Sequence, residues 1–324
     1  MDMISRALQQ LHDDELRLSQ AQISAGSTSH QYIANVLKNR RYRDPNFPWI
    51  IETILSGSYI RRTKPYPLND IDMLVILDGH GLYEYKWGRI TAAEVRGQDC
   101  GSPVQNICNE YGLICSKRLL DRFRNAIAET YPFSKVRKDG QAINVQLSSG
   151  IGLDLVPCIE VFPADGSREY LYIPGGTKSE WIITNPRIDR EISDALHAFH
   201  NRLLRPAVRL AKLWNEEQNA CRLKAYHVEV LVWRAFGAQM PVMNLRDGLT
   251  RFFMTAPNAV LSPCDDPTGL GGQIDGYLSP AARWESHQRL EAAKSELLHS
   301  LLPGAWNFVA WNRIFSRPLE LIAA

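Results

Sequence analysis

Ser56-Gly57-Ser58-Tyr59 and, shortly after it, Asn69-Asp70-Ile71-Asp72-Met73-Leu74-Val75 decide how this chain is read. The first is a small turn carrying hydroxyls; the second brings a pair of aspartates, one residue between them, into an apolar strand. Strand side chains alternate between faces, so Asp70 and Asp72 share one face while Ile71, Met73 and Val75 take the other. One face would hold metal and the other is core. Hard oxygen ligands on a rigid strand suit a pair of Mg2+ ions about 3.5 to 4 Å apart, the arrangement used for in-line displacement at phosphorus. The Gly57-Ser58 turn would add backbone N–H groups and a hydroxyl for the phosphates that accompany such ions.

Two carboxylates leave such a centre incomplete, and Asp154 is the candidate third. It lies in Gly150-Ile151-Gly152-Leu153-Asp154-Leu155-Val156-Pro157, on the face opposite Ile151, Leu153 and Leu155. The preceding Ala142-Ile143-Asn144-Val145-Gln146-Leu147 alternates as well, with Ser148-Ser149-Gly150 as a hairpin connection. A lone aspartate among apolar strand residues is costly to bury unless a cation meets it.

Gly57-Ser58, Thr63, Asp70-x-Asp72 and Asp154 resemble the catalytic signature of the polymerase-beta-type nucleotidyltransferases. Trp181 to Pro186 (WIITNP), Lys212-Leu213-Trp214, Lys224-Ala225-Tyr226-His227-Val228-Glu229 and Asp266-Pro267-Thr268-Gly269 narrow this resemblance. They point to the bacterial cGAS/DncV-like nucleotidyltransferases (CD-NTases), relatives of animal cGAS and oligoadenylate synthetase. Each motif is weak alone; their order and separation, across about residues 50 to 270, carry the signal.

The resemblance implies an α+β, bilobed nucleotidyltransferase fold: a mixed sheet with helices in the N-terminal lobe, a helical C-terminal lobe, and a cleft between them. It implies an enzyme that joins ATP and/or GTP by nucleotidyl transfer with release of pyrophosphate, then cyclises the linear intermediate. A purine cyclic dinucleotide second messenger is the preferred product, in CBASS anti-phage defence, acting on a separate effector. Two Mg2+ ions, with Mn2+ as a substitute, would be held by Asp70, Asp72 and Asp154, any of which could also take the proton.

Ser56, Gly57 and Ser58 would cradle the donor triphosphate. By the same resemblance Lys212 contacts its terminal phosphates, with Lys224 a second candidate, and Asp266 lies near the nucleotide cleft. Tyr226 could stack on a purine, as aromatic rings do on bases. Each has a plainer reading: a strand-to-helix turn, a lysine snorkelling between Leu210 and Leu213, a turn-forming aspartate. The chain departs from the family pattern at Ser56, where relatives often carry glutamine. It departs again at Arg62, where many have glycine, and at Ala225, where serine is frequent. The first alternative function is a linear oligoadenylate or RNA nucleotidyltransferase using the same carboxylates. The second is a catalytically silent nucleotide-binding regulator, against which the intact Asp70, Asp72 and Asp154 argue.

With 324 residues, 45% of them hydrophobic, the chain can bury the cores of two lobes. A net charge of +2 does not mark a strong nucleic-acid binder. Of its basic runs, Arg40 to Arg43 and Lys135 to Lys138 read as solvated surface, and Arg61-Arg62 as a site candidate. Six scattered cysteines without a C-x-x-C pair read as reduced and structural in a cytoplasmic protein, with no zinc cluster. The start lacks an apolar export region, and no stretch approaches the length needed to span a membrane.

Helical patterns cover residues 3 to 24 and 28 to 42, with Ser27 or Thr28 as the cap between them. A strand is expected from Asp70 to Leu77 and a helix from Ser116 to Tyr131. Strands follow around Val145, Asp154 and Tyr170 to Pro174. After Asn185-Pro186 the pattern turns helical: 187 to 218, with Pro206 kinking or dividing it, then 223 to 236, 245 to 254 and 281 to 302. The expected division is 1–186, the catalytic lobe with N-terminal helices, and 187–324, the helical nucleotide-binding lobe. The small-residue end Leu321-Ile322-Ala323-Ala324 resembles C-termini that become conjugated to partner proteins; a frayed terminus is the plainer reading.

Overall fold

The computed structural model describes residues 2–79, 83–86, 93–97, 100–148, 150–161, 170–175, 181–217, 223–237, 240–300 and 307–319. Helix α1 (Met3–Leu11) is followed by a π-helical turn (His12–Leu16), α2 (Gln20–Asn39) and β1 (Ile50–Leu55). The short α3 (Gly57–Ile60) leads to β2 (Asp70–Leu77), β3 (Tyr83–Lys86) and β4 (Ala93–Arg96). Next come α4 (Ser116–Thr130), β5 (Val136–Asp139), β6 (Ala142–Gln146), β7 (Gly152–Val161), β8 (Tyr170–Pro174) and β9 (Trp181–Thr184). The remainder is helical: α5 (Pro186–Phe199), α6 (Leu204–Glu217), α7 (Ala225–Phe236), α8 (Leu245–Leu261), α9 (Pro280–Ser300) and α10 (Asn307–Ile314).

The strands form one mixed sheet in the order β1-β2-β7-β8-β9-β4-β3, with β6 also beside β7 and β5 beyond it. β2 and β7 run parallel, and the other described pairs are antiparallel. Strand β7 is long enough to hold two neighbours along one edge: Gly152 to Leu155 pair with β6, and Ile159 to Val161 pair with β8. Ile71, Met73, Val75, Leu153 and Leu155 pack into a core with Leu119, Phe123 and Ile127 of α4 and Ile33 and Leu37 of α2. A one-residue slip of β2 would turn Ile71, Met73 and Val75 away from this core and bring Asp70 and Asp72 into it, at about 1.5–3 kcal/mol for each apolar side chain lost. The register is therefore firm.

The second core is helical, built around Trp214, Val228, Leu231, Phe252, Phe253, Leu290 and Trp311. It also takes in Ile4, Leu8, Leu11 and Leu16 from the start of the chain. The change from sheet to helix falls at Pro186, because the Asn185 side chain accepts from the Arg187 and Ile188 N–H groups and proline suits the first helical position. No helix among the described residues is long and apolar enough to cross a membrane. None of the five described cysteines is in a disulfide.

Some local expectations are corrected. The expected helix over 3 to 24 breaks after residue 16, and α2 starts from Ser19, whose hydroxyl accepts from Gln22 N–H while the Gln22 side chain accepts from Ser19 N–H. This reciprocal cap outcompetes Ser27 and Thr28, which lie inside α2. Gly26 sits mid-helix because a Cβ there would come within 2.8 Å of Ile71. Pro206 neither kinks nor divides its helix: it stands in the first turn of α6, and the break falls at 200–203, where Asn201 and Arg202 have φ of 52° and 62°. Helix α8 runs past the expected end at Met254, through Pro257. Residues 321–324, singled out above as a candidate attachment point, lie outside the described residues.

Candidate active site

The parallel register sets Asp72 directly against Asp154, and Asp70 shares their face one pleat earlier. Ligand oxygens of the three carboxylates lie within 4.8 Å of one another. Gly152, opposite Asp70, lets the strands approach: its N–H donates to the Asn69 carbonyl at 2.7 Å, and a Cβ would sit 3.0 Å from that oxygen. Asn144 of β6, in register with Asp154, donates from Nδ2 to Oδ1 at 2.8 Å. The Lys64 ammonium pairs with Asp70.

The Gly57 turn is pressed against this cluster. Ser56 N–H donates to the Asp72 carbonyl at 2.9 Å. Gly57 has φ +63°, and a Cβ on it would lie 1.7 Å from Asp72 Oδ2, so no side chain fits between turn and carboxylate. The Ser58 carbonyl accepts from the Thr63 and Lys64 N–H groups at 2.9 and 3.1 Å, which folds the loop back and brings Lys64 to Asp70. Burial, reinforced by Asp70 and Asp154, pushes Asp72 up to about 6. Burial also raises Asp154, against the Asn144 hydrogen bond. Crowded hard oxygens with a single lysine among them form a donor set that fits Mg2+ or Mn2+.

From the helical side, Lys212 is buried, its Nζ 2.6 Å from Glu229 Oε1 and 3.1 Å from the Thr63 carbonyl oxygen. Arg61 reaches the same carboxylate, Nε at 2.9 Å from Oε2 and Nη2 at 3.2 Å from Oε1. Burial alone would raise the fully buried Glu229, but Lys212 and Arg61 outweigh it and hold the carboxyl at about 2. The trio ties α6, α7 and the loop after α3 together. Tyr226 donates its hydroxyl to Asp189 Oδ1 at 2.6 Å, and the Arg61 guanidinium lies 5.0 Å from its ring centre.

Lys224 caps α7, its ammonium 4.6 Å from the Tyr277 ring centre. Asp266 accepts from the Thr268 N–H at 3.0 Å and hydroxyl at 2.7 Å, and from the Gly271 N–H at 3.0 Å. It organises its own turn, yet its charge also reaches Asp189 and Tyr226. Sequence reasoning did not single out Lys64, Asn144 or Asp189, or Glu229 as the partner of Lys212. Only Asn144 carried a signal, its place in the alternation of β6.

Comparison with known proteins adds four findings. A family model for the Second Messenger Oligonucleotide or Dinucleotide Synthetase domain matches residues 87–195. Over 264 residues the chain is 24% identical to a Bacillus cereus protein described as a "Probable cyclic nucleotide synthase", covering 80% of this chain and 78% of that one. The fold is similar to that of Escherichia coli CdnC solved with ATP, with a TM-score of 0.70 at 15% identity over 98% of each chain. CdnC in a complex with HORMA-deltaN gives 0.68 at 15% identity over 96% of each.

Proposed function

Because this chain belongs to the cGAS/DncV-like nucleotidyltransferases and is a nucleotidyltransferase, we propose that it makes a cyclic oligonucleotide second messenger from ATP and/or GTP, a purine cyclic dinucleotide first among the candidates. The reading rests on the carboxylates of Asp70, Asp72 and Asp154 gathered within 4.8 Å beside the Gly57 backbone. Two Mg2+ ions held there, or Mn2+ in their place, would neutralise the donor triphosphate and activate the attacking ribose hydroxyl.

The chain's own groups do the positioning. Ser56, Gly57 and Ser58 present the turn to the phosphates, and Lys64 balances Asp70. Arg61, Lys212 and Glu229 lock that turn to the helical lobe, so Lys212 acts on the triphosphate through the loop it grips or by exchanging Glu229 for phosphate. Tyr226, its hydroxyl tied to Asp189, offers a ring face to a purine, with Lys224 and Asp266 at the rim. We divide the lobes near Pro186 and assign the product to CBASS signalling through a separate effector.

The test is incubation with each NTP and each pair in Mg2+, followed by phosphatase treatment and mass spectrometry. A phosphatase-resistant product supports cyclisation; a phosphatase-sensitive ladder places the enzyme among linear oligonucleotide synthases. Asp70→Asn with Asp72→Asn is expected to abolish pyrophosphate release. Undiminished turnover in that variant refutes the site.

A further inference from the structure

A second concavity, with a volume of about 230 Å3, lies between the loop after α3 and the α5–α6 junction. Arg62, Arg190, Arg202 and Arg205 line it, with one acidic residue, Asp194. Asp194 is shared: it pairs with Arg205, and Arg190 Nε stands 3.6 Å from its other oxygen. Arg62 and Arg202 make no ion pair with a described residue. Positive charge is in surplus.

Arg62 and Arg202 also stand on left-handed backbone, with φ of 58° and 62°. That conformation is unfavourable for any residue with a side chain and persists where the surroundings over-determine it. The groups feel one another. Burial lowers Arg205, against Asp194 and reinforced by Arg62 and Arg190. Burial, then Arg205 and Arg202, push His197 in the same wall down to about 4, so its imidazole is neutral and the arginines supply the positive charge. An anion with several oxygens would relieve this repulsion through charge-assisted hydrogen bonds.

The pocket also grips the catalytic loop. Arg205 Nε donates to the Arg61 carbonyl at 3.0 Å, and neighbouring Arg209 donates to the carbonyls of Arg62 at 2.7 Å and Lys64 at 3.1 Å. That loop carries Arg61 to Glu229 and Lys64 to Asp70.

We propose that this pocket is an oligophosphate site, separate from the catalytic carboxylates, that takes the phosphate chain of a small molecule and thereby braces the loop from Arg61 to Lys64. It is smaller than pockets that enclose whole drug-sized ligands, about 300 Å3 and upward, which favours a phosphate chain over an entire nucleotide. It is a concavity and not an extended track, which disfavours a polynucleotide.

Inorganic triphosphate is titrated calorimetrically into the full chain in EDTA, where the metal-free carboxylate cluster repels anions. One site is expected, weakened tenfold or more by Arg190→Gln with Arg202→Gln and, separately, by Arg62→Gly. The Arg62→Gly variant also relieves backbone strain, so it carries the test should the double variant fail to fold. Displacement of triphosphate by pyrophosphate supports an inorganic source, and displacement by ATP a nucleotide-borne one. Absence of binding, or binding unchanged in both variants, overturns the proposal. So does arginine-dependent binding of a duplex or single-stranded oligonucleotide without binding of triphosphate.

Discussion

At Gly57 a methyl group is too much. Its Cβ would overlap Asp72 Oδ2, and φ is already +63°. Gly57→Ala is expected to lower turnover by about 100-fold or more through displaced carboxylates, and to cost about 1–3 kcal/mol of stability. Activity and thermal melts on one preparation check both. Asp72 shows the opposite balance between stability and activity. Its folded pKa, about 6, lies above the unfolded 3.8, so its stabilising share is present below pH 3.8 and lost as pH rises through about 6. In EDTA, the wild-type chain should therefore gain up to about 3 kcal/mol from this residue between neutral and acid pH. Asp72→Asn should be more stable than wild type at pH 7 yet inactive, and melts in EDTA at pH 7 and 5 compare the two. Alternation along β2 and β7 made the shared face of the aspartates legible in advance. The crowding of Gly57 on Asp72 was not, because it depends on how the turn folds over the strand.

Between elements, the buried trio of Arg61, Lys212 and Glu229 joins the loop after α3 to α6 and α7. Removing the central charge leaves two buried cations unbalanced. Glu229→Gln is expected to cost about 3–5 kcal/mol in denaturant unfolding. In wild type, Glu229 is held at about 2, below the ordinary 4.5, so the stability it contributes is present above pH 4.5 and lost as pH falls through about 2. Acid titrations of stability should show that slope, worth about 3 kcal/mol, and the glutamine variant should lack it. A variant with the wild-type slope would refute the coupling. Element limits were legible where capping and burial agreed, as for β2 at Asp70 to Leu77 and the start of α5 at Pro186. They were not where two signals competed. Ser27 and Thr28 look like caps, but Ser19 with Gln22 makes the better one, and Gly26 answers to Ile71 across the fold.

On the scale of the whole molecule, the chain begins inside the core it later completes. Ile4, Leu8 and Leu11 of α1 pack with residues from α6 to α10, while α2 serves the sheet. Deleting residues 1–16 should expose that helical core at about 1.5–3 kcal/mol per lost apolar side chain. Partial unfolding, read as early proteolysis within residues 187–319, is expected; a wild-type melting curve for the truncated chain would refute it. The sequence by itself determined the alternating strands, the face shared by Asp70 and Asp72, and the passage to helix at Pro186. Those follow from the periodicity of apolar residues and the chemistry of caps, which act over a few neighbours. Only the tertiary structure decided that Asp154 stands beside Asp72, that Lys212 faces Glu229, that the first helix belongs to the last ones, and that four arginines share one pocket. Each of these depends on contacts between residues far apart in the chain, where the energy of packing and charge pairing, and not local preference, selects the partner.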